Sequence, residues 1–236
     1  ELAPRGALHP ITTLIDDMCD VFVAMGWEVA EGPELEAEWY NFDALNLDVN
    51  HPARGEQDTL WVEPATAGKL LRTQTSPVQV RAMLERDLPL YIVSPGKVFR
   101  ADEYDATHLP VFHQLEGLVV DKGISMADLR GVLDHFARAM FGDVTTRMRP
   151  HYFPFTEPSA EIDMRFADGP LKGRWLEVSG SGQVHPNVVR NLGLDPEKHI
   201  GFAFGSGIER LAMLRYGVDD LRLFYENDLR FLRQFA

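Results

Sequence analysis

The sequence predicts an α+β fold built on an antiparallel β-sheet flanked by helices. Three observations carry this. Leu90–Val93 leads into Lys97–Arg100 as a strand, and Val111 to Asp121 returns as another, joined directly by the polar loop Ala101–Pro110. Residues 111–121 alternate, with Phe112, Gln114 and Glu116 on one side and Val111, His113 and Leu115 on the other. Helical apolar spacing clusters early, in the middle and at the end of the chain instead of alternating with strands, which disfavours a parallel βαβ layout.

Taken in order, Ile11, Leu14, Ile15, Met18, Val21, Phe22 and Met25 recur at helical spacing, so residues 9–25 read as an amphipathic helix stopped by Gly26. Trp27–Ala30 reads as a short strand ended by Gly32-Pro33. Glu34–Asn46 reads as a second helix with an acidic first turn. Helix, strand, proline and helix together fit either a dimerisation unit or simply a domain's first layer. Residues 47–60 are irregular and polar, and polar loops on rigid scaffolds often carry function. Leu70–Thr73 is a short strand. Ser76-Pro77 has the form of an N-cap followed by proline at the first helical position, opening a helix to about Arg86.

After the hairpin, Met126, Leu129, Val132, Leu133, Phe136 and Met140 define a helix from Ser125 to Phe141, with Ser125 and Asp128 placed as a capping box. Val144–Pro150 is a strand. Residues 151–158 are dense in aromatics and proline. Further strands are expected at Ala160–Phe166, Arg174–Gly180 and His199–Phe204. Gly205-Ser206-Gly207 is expected to turn the chain into a helix, Ile208–Tyr216, and the last helix spans Asn227–Phe235.

The chain has 236 residues, which fits one large domain or two small ones and is long enough for a substantial core. No apolar run approaches the ~20 residues of a membrane span, so no membrane partner is expected. The start, Glu1-Leu2-Ala3-Pro4-Arg5, has no secretory pattern and no initiator Met, which suggests removal of upstream sequence. The single cysteine, Cys19, excludes an internal disulfide, fits a cytoplasmic setting and lies in a helical apolar stripe. A net charge of −13 argues against strong general nucleic-acid binding by this chain alone.

Chemistry concentrates on the hairpin. One face carries Arg100, Phe112, Gln114 and Glu116: a permanent cation, an aromatic ring, an amide and a carboxylate. Such a face suits a charged planar ligand, and equally a salt-bridged, solvated sheet face. Other patterns fall away. Gly205-Ser206-Gly207-Ile208-Glu209-Arg210 has Arg210 where a dinucleotide fingerprint needs its third glycine. The histidines lack zinc spacing, and there is neither a P-loop nor a G-x-S-x-G elbow.

Three ordered pieces remain: helix–strand–Gly32-Pro33; Phe99-Arg100-x-Asp102 with its loop and the return strand; and Gly201 to Arg210. Together they resemble motifs 1, 2 and 3 of the class II aminoacyl-tRNA synthetases. H-P-A-R at 51–54, Q-T-S-P at 74–77, D-A-T-H at 105–108, F-H-Q-L-E-G at 112–117, Y-F-P-F-T-E-P-S-A-E at 152–161, W-L-E-V at 175–178, H-P-N-V at 185–188 and G-F-A-F-G-S-G-I-E-R-L at 201–211 resemble the catalytic α subunits of bacterial phenylalanyl-tRNA synthetases, over nearly all of the chain.

The resemblance implies a class II catalytic domain over residues 1–236, without the family's N-terminal tRNA-binding helical arm. It implies activation of L-phenylalanine by ATP and transfer to tRNA(Phe), with Mg²⁺, in an (αβ)₂ heterotetramer with a β subunit. By the same resemblance Arg100 and Arg210 are the catalytic arginines. Arg100 holds the α-phosphate and the carboxylate; Arg210 holds the γ-phosphate and stacks on adenine opposite Phe112. Asp102, standing where many class II enzymes carry Glu, accepts from the adenine amino group. His108 reaches the β- and γ-phosphates. Glu157 and Glu177 hold Mg²⁺, with Glu177 also counted in the ATP site. Gln57, Gln74, Ser76, Gln114 and Glu116 surround the substrate ammonium, Phe153 and Phe155 flank its ring, and Thr156 and Ala203 close the pocket. A binding protein that kept this fold without catalysis, or a class II ligase for another amino acid, are the alternatives left open.

Overall fold

The computed structural model describes residues 6–64, 67–168 and 172–236; the first five residues, read above for a leader, lie outside them. Helix α1 spans Pro10–Ala24 with His9 at its N-cap, where the ring Nδ1 accepts from the Ile11 amide. Leu14, Met18 and Phe22, four residues apart, form its buried stripe. It leads through Gly26, whose φ of +87° suits glycine, into the two-residue strand β1, Glu28–Val29.

Residues 34–46 depart from the single helix expected. Leu35–Ala37 is a strand, β2, paired antiparallel with β3, Lys69–Leu71; α2 covers only Glu38–Asn41, and a 3-10 turn follows at Asp43–Leu45. The cause is non-local. Glu36 is buried and accepts from the Arg81 guanidinium, while Arg54 donates to Glu38, Asp43 and the Leu47 carbonyl.

Helix α3 spans Ser76–Glu85, strand β4 Leu90–Phe99, β5 Val111–Asp121 and α4 Met126–Phe141, the last opened by the expected Ser125–Asp128 capping box. Ser76 is not a cap: it is the first helical residue, Thr75 stands at the cap without a side-chain bond, and the Ser76 hydroxyl turns elsewhere. Strands β6, Val144–Phe153, and β7, Thr156–Phe166, form a second hairpin that absorbs the aromatic stretch. Strand β8 runs Trp175–Val184 and β9 Ile200–Gly207, both longer than expected, so Gly205, Ser206 and Gly207 are strand residues opposite Glu116, Leu115 and Gln114. Helix α5, Pro186–Asn191, was not anticipated; α6 is Ile208–Tyr216, and the last helix, α7, shortens to Leu229–Leu232 before a 3-10 turn.

Seven strands form one sheet in the order β1-β4-β5-β9-β8-β7-β6, antiparallel except for β1 against β4. Helices α1, α4 and α6 cover one face. Phe22, Phe136 and Phe204 stack at their centre with Leu115, Phe202 and Ile162 beneath. On the opposite face lies a second core, including Phe42, Leu70, Val78, Leu118, Val120 and Val188. The alternation of β5 therefore sends Leu115 and Val119 into the first core and Leu118 and Val120 into the second, with Gln114 and Glu116 on that second face where a cavity opens.

Candidate active site

A cavity of about 310 Å³ opens over the middle of that face, within the range of small-ligand pockets. Gln74, Ser76, Arg100, Gln114, Glu116, Phe153, Phe155, Thr156, Glu177 and Ala203 all line it, so the structure joins ten residues drawn from six separate stretches of sequence.

Its polar end centres on Glu116. One carboxylate oxygen accepts from the Thr75 amide at 3.2 Å, and the other from the Ser76 hydroxyl at 2.5 Å and the Gln79 amide at 3.1 Å. A carboxylate offers about four lone-pair sites, so three are used and one remains. Burial pushes the Glu116 carboxyl up to about 7, against the opposing pull of Ser76, Thr75, Arg100 and Arg72. Gln114 Oε1 is buried without a partner among the described residues, an acceptor facing the same space.

Arg100 sits just past the end of β4, where its amide donates to Pro110 and its Nε to the Thr73 carbonyl at 3.2 Å. Its Cζ lies 5.1 Å from the centre of the Phe112 ring. Burial draws its pKa down, while Asp102, Glu116 and Asp58 hold it up. Among the described residues its guanidinium donates only this Nε bond, and its other nitrogens remain for an anion.

The apolar end is made by Phe153 and Phe155, whose rings lie parallel, 6° apart in plane and 5.8 Å between centres. Gly180 makes room for them: a Cβ there would stand 2.8 Å from Phe153 Cζ. Thr156 is buried behind, its hydroxyl shared with Ser159. Ala203 is held opposite Leu118 on β5 and Gly182 on β8. The free acceptors of Glu116 and Gln114 at one end and the paired rings at the other describe a site for an amphipathic molecule with a cationic head and a flat apolar body.

Six of the expected residues lie outside this cavity: Phe112, Arg210, Asp102, His108, Glu157 and Gln57. Phe112 is half-buried two residues before Gln114, and Arg210 is exposed in the first turn of α6, three residues beyond Gly207, the register partner of Gln114. Both thus lie toward the same end of the β5–β9 pair. Asp102 is half-buried beside Arg100. His108 is exposed in a turn built on Asp105, whose carboxylate accepts from the Thr107 and His108 amides at 2.7 Å and is held well below its usual range by them.

Two expectations are corrected. Glu157 and Glu177 do not come together: Glu177 pairs with Asp163 on β7, six residues from Glu157, roughly 20 Å along a strand. Glu161, not Glu157, shares the cavity wall with Glu177, and it is paired with Arg149 at 2.6 Å. Gln57 is exposed outside the lining; the carbonyl of its neighbour Asp58 accepts from the Ala101 amide. Sequence reading missed Gln79, one helical turn beyond Ser76, and the clearance supplied by Gly180 and Gly205.

A family model described as tRNA synthetases class II core domain (F) matches residues 1–235. The phenylalanine–tRNA ligase alpha subunit of Cutibacterium acnes is 59% identical over 245 residues, covering 98% of this chain and 66% of that protein. The protein of the same name from Mycolicibacterium paratuberculosis is 58% identical over 234 residues, covering 99% and 67%. The chain thus spans about two thirds of the length of these relatives. Among solved structures, pyrrolysyl-tRNA synthetase from Desulfitobacterium hafniense superimposes with a TM-score of 0.71 at 16% identity, over 94% of this chain and 75% of that one, a likeness of fold. The chain belongs to the class II tRNA synthetase core family, among the phenylalanine–tRNA ligase alpha subunits.

Proposed function

We propose that the chain activates L-phenylalanine with ATP to phenylalanyl-adenylate and passes the acyl group to tRNA(Phe), as the catalytic α subunit of an (αβ)₂ heterotetramer in the cytoplasm. The observation that carries this is the two-ended cavity. Parallel Phe153 and Phe155 rings stand at one end, with the Glu116 carboxylate, the unpartnered Gln114 oxygen and the Arg100 guanidinium at the other. Among the described residues no helix is long and apolar enough to cross a membrane.

In this reading the phenylalanine ring lies against Phe153 and Phe155, with its ammonium on Glu116 and Gln114. Its carboxylate then faces Arg100. A carboxylate oxygen bonds to the α-phosphorus of ATP as the bond to pyrophosphate breaks. Negative charge grows on the phosphoryl oxygens, and the partly desolvated Arg100 cation, already fixed at Nε by Thr73, meets it without reorganising. Phe112 stacks on the adenine with Arg210 across from it, Asp102 accepts from the adenine amino group, and His108 faces the outer phosphates. The 3′-terminal ribose hydroxyl of tRNA then takes the acyl group, releasing AMP.

No set of three or more metal-ligating side chains exists among the described residues. Mg²⁺ commonly uses one or two carboxylates, substrate phosphates and waters, so Glu177 on the cavity wall suits it and Glu157 does not. When bound, Mg²⁺ would neutralise phosphate charge.

ATP–pyrophosphate exchange by the full-length α chain with its β subunit, run across amino acids, tests the reading. Exchange is expected with phenylalanine and at least about a hundredfold less with leucine or alanine, which lack the ring the site is built around. No exchange with phenylalanine, or equal exchange with another amino acid, would sink it. Light scattering of the mixed subunits tests the heterotetramer.

A further inference from the structure

Glu209 is the second residue of α6 and is 2% exposed, a carboxylate deep against the covered face of the sheet. Burying such a group unpaired is strongly unfavourable, and Glu209 is paired from two directions. Both of its oxygens lie 2.9 Å from the His113 backbone amide, and Oε1 is 2.7 Å from His113 Nδ1. The Tyr225 hydroxyl donates to the same Oε1. Burial beside this carboxylate keeps the Tyr225 phenol well above its ordinary range and therefore protonated.

The location matters more than the bonding. The ladder between β5 and β9 ends at Gln114 opposite Gly207, where β9 turns into α6. His113 is the next residue of β5, with no β9 residue left to pair it. Glu209 supplies the acceptor that the vanished strand would have offered. An acidic residue in a first helical turn ordinarily serves the amides of its own helix. This one serves another element.

Two neighbours give the contact its meaning. His113 directly follows Phe112, and Glu209 directly precedes Arg210, the two residues assigned to opposite faces of adenine. We propose that Glu209 is a positioning residue that, through His113 and Tyr225, sets the separation of Phe112 and Arg210 and so the fit of the nucleotide base. This rests on the ATP assignment of those two side chains. The amino-acid end of β5 has its own anchor, Glu116 on Thr75, Ser76 and Gln79, so the effect is confined to the nucleotide.

The test uses the full-length α chain with its β subunit, carrying Glu209→Gln or Tyr225→Phe. Both retain side-chain volume, and Tyr225→Phe removes a single hydroxyl. ATP affinity is read by calorimetry without amino acid, and phenylalanine affinity without ATP. For Glu209→Gln, ATP binding is expected to weaken about tenfold, the loss of one charge-assisted bond, with phenylalanine binding within about twofold; Tyr225→Phe shifts ATP in the same direction by less. KM values in exchange should split the same way. Equal weakening of both ligands would mark Glu209 as general support for the fold, and unchanged ATP binding would remove it from nucleotide fit; either overturns the proposal. A parent that binds ATP but exchanges only with another amino acid fails the phenylalanine reading and leaves the ATP comparison standing.

Discussion

Ser76 donates its hydroxyl to Glu116 across 2.5 Å, and this buried contact ties the start of α3 to the middle of β5. It joins a residue suited by sequence to capping a helix with one that by alternation belongs to a sheet face. The bond holds the carboxylate in one orientation, with a single lone-pair site left for a ligand.

The titration of Glu116 gives a pH dependence. Its carboxyl is pushed up to about 7 by burial, against an ordinary value of 4.5. As pH falls toward about 5, the native state therefore takes up this proton before the unfolded chain does, so this group's contribution to stability rises on acidification and is lost as pH climbs through about 7. Ligand binding runs the other way, because an ammonium needs the ionised form. Phenylalanine affinity is expected to fall as pH drops from about 8 to 6, and Glu116→Gln should weaken it at least about tenfold and flatten the profile. Calorimetry across this range checks it; a flat parental profile would remove Glu116 from ammonium binding.

Ala203 lines the cavity from β9, opposite Leu118 and Gly182, and is proposed to limit the depth of the pocket. Removing its methyl group in Ala203→Gly is expected to admit para-substituted phenylalanines, moving the activation ratio of para-chlorophenylalanine to phenylalanine by about tenfold or more, the scale of one methylene-sized discrimination. Exchange rates with the two amino acids decide it, and a parental ratio would place the end of the pocket elsewhere.

Arg100 is held at its Nε and presents its remaining nitrogens to the cavity. Arg100→Ala should lower exchange by at least about a hundredfold, as expected for loss of a preorganised charge, while circular dichroism and thermal melting stay near parental. Near-parental exchange is the contrary result.

Gly180 gives clearance to Phe153. In Gly180→Ala the new Cβ, 2.8 Å from Phe153 Cζ, must displace the ring. Phe153 is half-buried and borders the cavity, so it yields by moving into the ligand's space. KM for phenylalanine is expected to rise about tenfold, with the melting temperature nearly unchanged; a large loss of melting temperature at unchanged KM would make Gly180 a folding position only.

Much of the site was legible because its residues obey local periods. Alternation along β5 placed Gln114 and Glu116 together and sent Leu115 to the opposite core, and the Pro154-Phe155 turn between β6 and β7 set Phe155 beside Phe153. Ser76 was misread because its cap pattern is local and its partner, Glu116, is 40 residues away. Residues 34–46 were misread because strand pairing to 69–71 and the Arg81–Glu36 pair outweigh helical preference. Glu157 was assigned by resemblance alone; the register of β7 against β8, which pairs Asp163 with Glu177 and Thr156 with Val184, sets its distance from Glu177.

The amino-acid sequence by itself determined the α+β class, the central hairpin, the covered face of α1 and the types of side chain offered to a ligand, since all of these follow from period, turn chemistry and motif wording. Tertiary structure alone decided which of those side chains meet. Strand order and register set β9 against β5 and β8 beside it, ended the ladder at Gly207, and thereby brought Glu209 under His113 and left Gln114 and Glu116 facing the cavity. Such contacts depend on pairings between segments far apart in the chain, which no local pattern encodes.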